Sequence, residues 1–445
     1  MPSRHSLSRW IESRPLQVLA LLLLLALVVD AGWLWSHPPS VDSGETSHWW
    51  PIVVNVAQGR GYSGCFPEHF PFCGPANQVT AAREPVPVLL FAAVERLTTE
   101  SLLPAVVLEI ALNLGILIGI SLLAQRLAGP RAATVAALLW SLYVPALEMI
   151  LQVSGDLAAT LCLVWGMFFL VRARRTDQAR DWLAAGGWVA VGTLSRSAVM
   201  VLAPALGLVE FLRTPVATRA RWRGVALSGS IFLLTMCPWI LRNYAVFGHP
   251  VLGSTLMGYN LYRQNYLLSS PDYRRIVAGE EGERAVQELL ARRPDLRGTE
   301  NEAEMNAVYV REALRTIKAW PLRYLHLSAY RFLPLWFNWG VLEAYGVRSR
   351  LRDYLLGGEQ AILLALAIGG LGYLGREGWP LAAGAAAYSV AHMLVNSQLR
   401  YIVPVMPLVM VLSAVTLQRA LRCLPEPGNA EKTAIHDRVD EGALR

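Results

Sequence analysis

Two carboxylates, Asp42 and Glu45, stand just beyond the first apolar run of this 445-residue chain. If the stretch is helical, their spacing puts them on one face. Each is then a candidate general base, the plainer alternative being a solvated loop acid. A third, Asp156, ends the tight turn Gln152-Val153-Ser154-Gly155-Asp156. It reads as a turn-former, a second active-site carboxylate or a ligand for a divalent cation. Arg83, Arg196, Arg242 and Arg400 are candidate phosphate binders, because a guanidinium meets phosphate through planar, charge-assisted pairs of hydrogen bonds. Glu84, Tyr244 and Tyr401 stand beside them as substrate-binding candidates. His48 has no His or Cys partner at ligand spacing and reads as an interfacial polar residue. Glu148 reads as a boundary residue at the end of a span.

The elements that must position these groups are membrane helices. The chain is 54% hydrophobic and only 16% charged, with mean hydropathy +0.36; soluble proteins carry about a quarter charged residues. Its apolar runs reach or approach the roughly 20 residues that cross a bilayer as helix, which excludes a membrane barrel of alternating strands. The net charge of +7 is arginine-rich and sits in short loops. It reads as a topology signal and excludes a nucleic-acid partner.

Arg4, Arg9 and Arg14 precede an uncleaved first span at about 16–36, which predicts a cytoplasmic N-terminus. The loop 37–87 is then outside, and Cys65 and Cys73 within it form a disulfide if that compartment is oxidising. Cys162 and Cys237 fall in apolar spans and read as packing residues. Arg126, Arg131, Arg172, Arg174, Arg175, Arg180 and the run Arg213, Arg219, Arg221, Arg223 mark the inner side. Residues 182–212 are too long for one crossing and short for two full ones. A break at Ser195-Arg196-Ser197 makes two short helices, and interrupted helices border polar cavities. A long outer segment covers 242–358, with an interfacial stretch at 322–340. Three spans follow, at about 359–375, 379–396 and 401–418. The expectation is one transmembrane domain, 1–418, of about ten spans, with a polar cytoplasmic tail at 419–445. On this topology Asp42, Glu45, His48, Arg83, Glu84, Asp156, Arg196, Arg242 and Arg400 collect at the outer side, and charge at membrane depth marks functional cavities.

An ordered set of short motifs runs through the chain. An acidic first loop leads to Gly59-Arg60-Gly61-Tyr62 and Thr80-Ala81-Ala82-Arg83-Glu84-Pro85-Val86-Pro87. The outer turn at Asp156, then Leu194-Ser195-Arg196 and Pro238-Trp239-Ile240-Leu241-Arg242-Asn243-Tyr244, follow. Arg400-Tyr401-Ile402-Val403-Pro404-Val405-Met406-Pro407 opens the last span. In this order the chain, from about 16 to 418, resembles the GT-C glycosyltransferases, the group that holds protein O-mannosyltransferases and lipid A aminoarabinose transferases.

The resemblance implies an all-α polytopic GT-C fold whose extracytoplasmic first loop packs amphipathic helices over a cavity. It implies a multi-pass protein of a bacterial inner membrane with its site facing the periplasm or exterior. It implies a polyprenyl-phosphate-linked sugar as donor, an acceptor hydroxyl on a glycan, lipid or protein, and inversion at the sugar. In the family a first-loop aspartate is the base, often followed directly by another acid and a tyrosine. Here Asp42 precedes Ser43, and the tyrosine position falls at Trp49 or Trp50. Asp42 is narrowly preferred, while counting back from Gly59 puts Glu45 at the base position. Asp156 replaces a common glutamate and has a shorter reach.

The chain has no P-loop, HExxH or Gly-x-Ser-x-Gly motif, so ATP-driven transport by this chain alone is excluded. A flippase for a lipid-linked glycan would need a polar path through the spans, and a non-catalytic homologue is the further alternative to an enzyme.

Overall fold

A computed structural model describes residues 11–423, other than 43, 75–77, 98–100, 213–218, 278 and 342–349. The expected tail beyond residue 423 lies outside the described residues. The described chain is helical. Its extended pairing is one isolated antiparallel bridge between Ser63 and Val79, inside the first polar loop.

The helices, in chain order, are α1 (Pro15–Ser36), α2 (Thr46–Ala57), α3 (Pro85–Glu95), α4 (Leu103–Ala128), α5 (Pro130–Ser141), α6 (Val144–Ile150), α7 (Asp156–Thr176), α8 (Ala179–Thr193) and α9 (Leu202–Leu212). There follow α10 (Arg219–Phe247), α11 (Leu256–Arg263), α12 (Gly279–Ala291), α13 (Glu302–Ala319), α14 (Pro321–Tyr330), α15 (Phe332–Phe337), α16 (Arg350–Leu374), α17 (Trp379–Val395) and α18 (Met406–Cys423). Short 3-10 turns precede α9, at Ser197–Val201, and α18, at Leu399–Val405.

Among the described residues six helices are long and apolar enough to cross a membrane, or seven spans if the bent pair α5–α6 counts as one. This is a multi-pass membrane protein, and six or seven of the about ten expected spans are full-length helices among the described residues. Three further apolar helices, Pro85–Glu95, Ser197–Leu212 and Trp379–Val395, are shorter than a full crossing. The interruption expected near Ser195 is present, since α8 stops at Thr193 and the next helical turn begins at Ser197. Residues 322–340 form two short helices, neither long enough to cross.

Inside a bilayer, helix association rests on close packing rather than on apolar burial. Small residues supply that closeness here. A Cβ on Gly186 of α8 would overlap the backbone of Ser228 on α10, and one on Gly370 of α16 would overlap that of Leu412 on α18. The main core runs from Val18 on α1 through Ile116, Leu157 and Val199 to Ile402 and Met410. A second core, outside the span bundle, joins α2 and α3 of the first loop region to α11, α12 and α13 through Trp49, Phe66, Tyr259 and Tyr309.

Helix α7 links the two ends of the molecule. Its 21 residues cover about 31 Å at 1.5 Å per residue. Asp156 begins it, and Arg174 and Arg175 lie in its last turn. At that arginine end, Arg174 pairs with Glu210 at 3.0 Å and Arg172 with Asp181 at 3.0 Å. The opposite end holds the candidate site.

Candidate active site

Glu45 immediately precedes α2, and its carboxylate is the most heavily contacted acid of the first polar loop. Arg400 Nη1 lies 2.5 Å from Oε1, and Arg83 Nη2 lies 3.9 Å from Oε2. Trp49, one helical turn on, donates its indole N–H to Oε2 at 3.2 Å. Burial pushes the Glu45 pKa up, but Arg400, Arg83, Arg196 and His48 outweigh it and hold the carboxyl well below the usual range. The loop is docked as well as charged. The Val153 N–H donates to Thr46 Oγ1 at 3.1 Å, and the Glu45 N–H donates to Gln152 Oε1 at 3.4 Å. These bonds seat α2 on the turn that leads to Asp156.

Asp156 is fully buried at the start of α7, where the helix N-terminus favours a negative charge. It forms an ion pair with Arg196, and Ser154 Oγ donates to its Oδ2 at 3.3 Å. Gly155 makes this possible, because a Cβ there would overlap the Ser195 carbonyl oxygen and crowd the Trp49 ring. The Arg196 and Arg400 guanidiniums lie 5.0 and 4.9 Å from the Tyr401 ring centroid. His392 stacks on that ring at 4.9 Å. Tyr401 Oη accepts from Asn396 Nδ2 at 3.2 Å and Arg400 Nη2 at 3.3 Å, and Arg400 Nε donates to Gln398 Oε1 at 2.9 Å. Two carboxylates, Glu45 and Asp156, thus share their surroundings with three guanidiniums, Arg83, Arg196 and Arg400. Three clustered guanidiniums suit an anionic ligand, and two further acids lie close by, Glu84 on Ser197 and Glu109 on the Ser154 N–H.

The other predicted residues divide. Arg83 lies 5.6 Å from the Trp49 ring centroid, and its Nε is buried without a partner. Glu84 receives the Ser197 N–H at 2.9 Å and also bonds the Ser197 hydroxyl, so it latches the loop before α3 to the break after α8. Arg242 turns to other partners. It donates to the carbonyls of Thr80 at 2.8 Å and Tyr62 at 3.3 Å, under the rings of Tyr62 and Trp239. It fastens the first loop rather than joining the Glu45 cluster. Tyr244 is exposed on α10. Asp42 is exposed, and its backbone N–H takes Ser40 Oγ at 3.3 Å. Glu148 pairs with Arg352.

Three features of the site have no local signal in the sequence. Glu302, at the start of α13, accepts from Thr80 Oγ1 at 2.6 Å, Ala81 N at 2.8 Å and Thr255 Oγ1 at 2.9 Å. It holds the strand of loop that carries Arg83, and burial raises its pKa. Glu68 lies between two imidazoles, 3.5 Å from His48 Nδ1 and 3.2 Å from His69 Nδ1. Cys65 and Cys73 bracket that trio in a disulfide with Cα atoms 5.5 Å apart. The third feature is the clearance that Gly155 provides.

A divalent cation is not well served here. Among the described residues no group of three or more His, Cys, Asp or Glu side chains is arranged to hold one. Asp156 already faces Arg196 and Glu45 already faces Arg400.

Comparison with known proteins bears on this geometry. A sequence profile of the family described as dolichyl-phosphate-mannose-protein mannosyltransferase matches residues 82–241. That segment holds Arg83, Glu84, Asp156 and Arg196. No curated protein sequence matches the chain. Among solved structures, the Archaeoglobus fulgidus oligosaccharyltransferase in its apo form superposes with a TM-score of 0.57 at 16% identity, covering 96% of this chain and 52% of that one. The same archaeal enzyme, AglB, in complex with an inhibitory peptide and a dolichol-phosphate gives 0.56 at 16% identity, covering 97% of this chain and 52% of that one. The chain therefore spans about half the length of the structures it matches. Its fold is the GT-C fold that the ordered motifs led one to expect, and residues 82–241 match the sequence profile of the mannosyltransferase family.

Proposed function

We propose that this protein is a membrane glycosyltransferase that moves a sugar from a polyprenyl-phosphate donor to an acceptor hydroxyl. The observation that carries the reading is the Glu45 carboxylate held between Arg400 and Arg83, next to the Asp156–Arg196 pair. The matched family is named for a dolichyl-phosphate-mannose donor, and the archaeal relative by fold binds a dolichol-phosphate, which supports the same donor class here.

The chemistry follows from charge. The acceptor oxygen attacks the anomeric carbon, and the bond from that carbon to the phosphate oxygen breaks. The departing lipid phosphate is a stable anion and needs positive charge rather than a general acid. Arg400, Arg196 and Arg83 supply it. As the phosphate takes up their N–H groups, Glu45 loses its counter-ions, its basicity rises, and it accepts the hydroxyl proton. The half-buried, arginine-paired position of Glu45 and the exposure of Asp42 support Glu45 as the base. A single displacement inverts the sugar configuration. Asp156 keeps Arg196 charged and oriented, and the apolar faces of the spans take the prenyl chain. The site lies at the end of α7 opposite its arginines, which supports an extracytoplasmic location under the positive-inside rule.

The test is a reconstituted assay. Purified protein in vesicles is given a radiolabelled polyprenyl-phosphate mannose and candidate acceptors, and release of free polyprenyl phosphate is followed. Release that depends on protein and acceptor is the expected result. Movement of intact donor between leaflets, with no cleavage, would instead mark a flippase.

A further inference from the structure

The Glu45 site is closed: its side chain is 19% exposed, that of Arg83 10%, and that of Asp156 0%. A base that takes a proton there in each turnover must lose it again, and the arginines around it cannot accept one. His48 is the nearby group suited to do so. It sits three residues after Glu45 on α2, with its backbone N–H bonded to the Glu45 carbonyl at 3.0 Å, so the two side chains leave the same helical face. Its side chain is 34% exposed, more open than any of the arginines facing Glu45.

The imidazole is also oriented. Its Nδ1 lies 3.5 Å from Glu68 Oε1, which leaves Nε2 as the atom that gains and loses a proton. A carboxylate on one nitrogen fixes the ring and stabilises the imidazolium when it forms. Glu68 is held in turn by His69 at 3.2 Å, and His69 packs edge-on to Tyr259 at 4.6 Å. The charged and titratable groups around His48 are Glu45, Glu68 and His69, with Arg83 acting on both Glu45 and His69. The disulfide Cys65–Cys73 closes the segment that carries Glu68 and His69 into a short loop.

We propose that His48, oriented by Glu68, is the proton relay of this site, carrying the proton taken by Glu45 out to bulk water. The inference rests on the glycosyltransferase reading. The hydroxyl proton passes to the Glu45 carboxylate as the new carbon–oxygen bond forms. It then moves to Nε2 of His48, giving an imidazolium paired with Glu68. Water takes it last, restoring a neutral ring and an anionic Glu45.

The experiment compares purified full-length wild type with His48→Gln, Glu68→Gln and Glu45→Gln in the donor-cleavage assay, over a range of pH and with added imidazole. The expected result is a fall in kcat for His48→Gln of about 10²-fold, within the range of lost acid–base groups, with KM for the donor unchanged. Free imidazole restores part of the rate. Glu68→Gln lowers kcat as well, by less than His48→Gln, because the imidazole loses the carboxylate that orients it. Wild-type kcat in His48→Gln, or a loss that imidazole does not rescue in a correctly folded variant, overturns the relay. Undiminished activity in Glu45→Gln overturns the glycosyltransferase mechanism itself, so the two failures are distinguishable.

Discussion

Arg400 Nη1 lies 2.5 Å from Glu45 Oε1, joining the turn before the final helix to the first polar loop. The two residues come from opposite ends of the chain, so the contact closes the site. Arg400 also grips Gln398 and Tyr401, which fixes the guanidinium as a fork rather than a mobile charge. Lysine would keep the charge and lose the fork. Arg400→Lys is therefore expected to raise KM for the lipid-phosphate donor more than it lowers kcat. Steady-state kinetics against donor concentration check this.

Asp156 and Arg196 form a buried ion pair at the head of α7. Removing one partner leaves the other charge uncompensated, which costs about 3–5 kcal/mol in such pairs. Asp156→Asn and Arg196→Gln should each lower the thermal unfolding temperature in detergent markedly. The double variant should be more stable than the sum of the single losses predicts, as coupled residues are. Strict additivity in a double-mutant cycle would contradict the pairing.

Gly155→Ala adds one methyl group where the Ser195 carbonyl and the Trp49 ring already meet the backbone. The break after α8 must then move away from α7, carrying Arg196 with it. Activity should fall far more than stability, because the displacement is local to the site. Paired measurements of donor cleavage and unfolding temperature decide it.

The first polar loop should be acid-labile. Burial pushes the His69 pKa down to about 4 from 6.5, against the pull of Glu68. The unfolded loop therefore binds a proton that the folded one refuses, and the stability this contributes, full above pH 6.5, is lost as pH falls toward 4. Glu45 and Glu68, both held below the usual carboxyl range of 4.5, add losses that begin below that value. Glu302, raised by burial, opposes them. Hydrogen-exchange protection factors of residues 45–73, referred to the intrinsic rate at each pH, should fall between pH 6.5 and 4 in the wild type and much less in His69→Asn.

The membrane architecture was legible in the sequence because apolar run length and arginine placement are local signals. The interruption at Ser195 was legible for the same reason, since 182–212 has the wrong length for one or two crossings. The number of full spans was not. Apolar composition alone does not separate a full-length crossing helix from the shorter apolar ones at Pro85–Glu95 and Trp379–Val395. Asp156, Arg196 and Arg400 were legible as charges beside apolar helices. The different surroundings of Asp42 and Glu45 were not, because they depend on Arg400, brought in from the far end of the chain. Arg242 carries the same warning in reverse. Its motif stands out, yet its side chain serves the carbonyls of Thr80 and Tyr62. Glu302, Glu68 and Gly155 matter through contacts distant in sequence, and no spacing rule marks them.

The most direct test of the account sets Glu45→Gln beside Asp42→Asn in the release of polyprenyl phosphate from a polyprenyl-phosphate sugar. The account predicts that Glu45→Gln lowers the single-turnover rate by about 10²–10⁴-fold, while Asp42→Asn, exposed and outside the arginine cluster, retains the wild-type rate. Full activity in Glu45→Gln, or a collapse in Asp42→Asn alone, would contradict it.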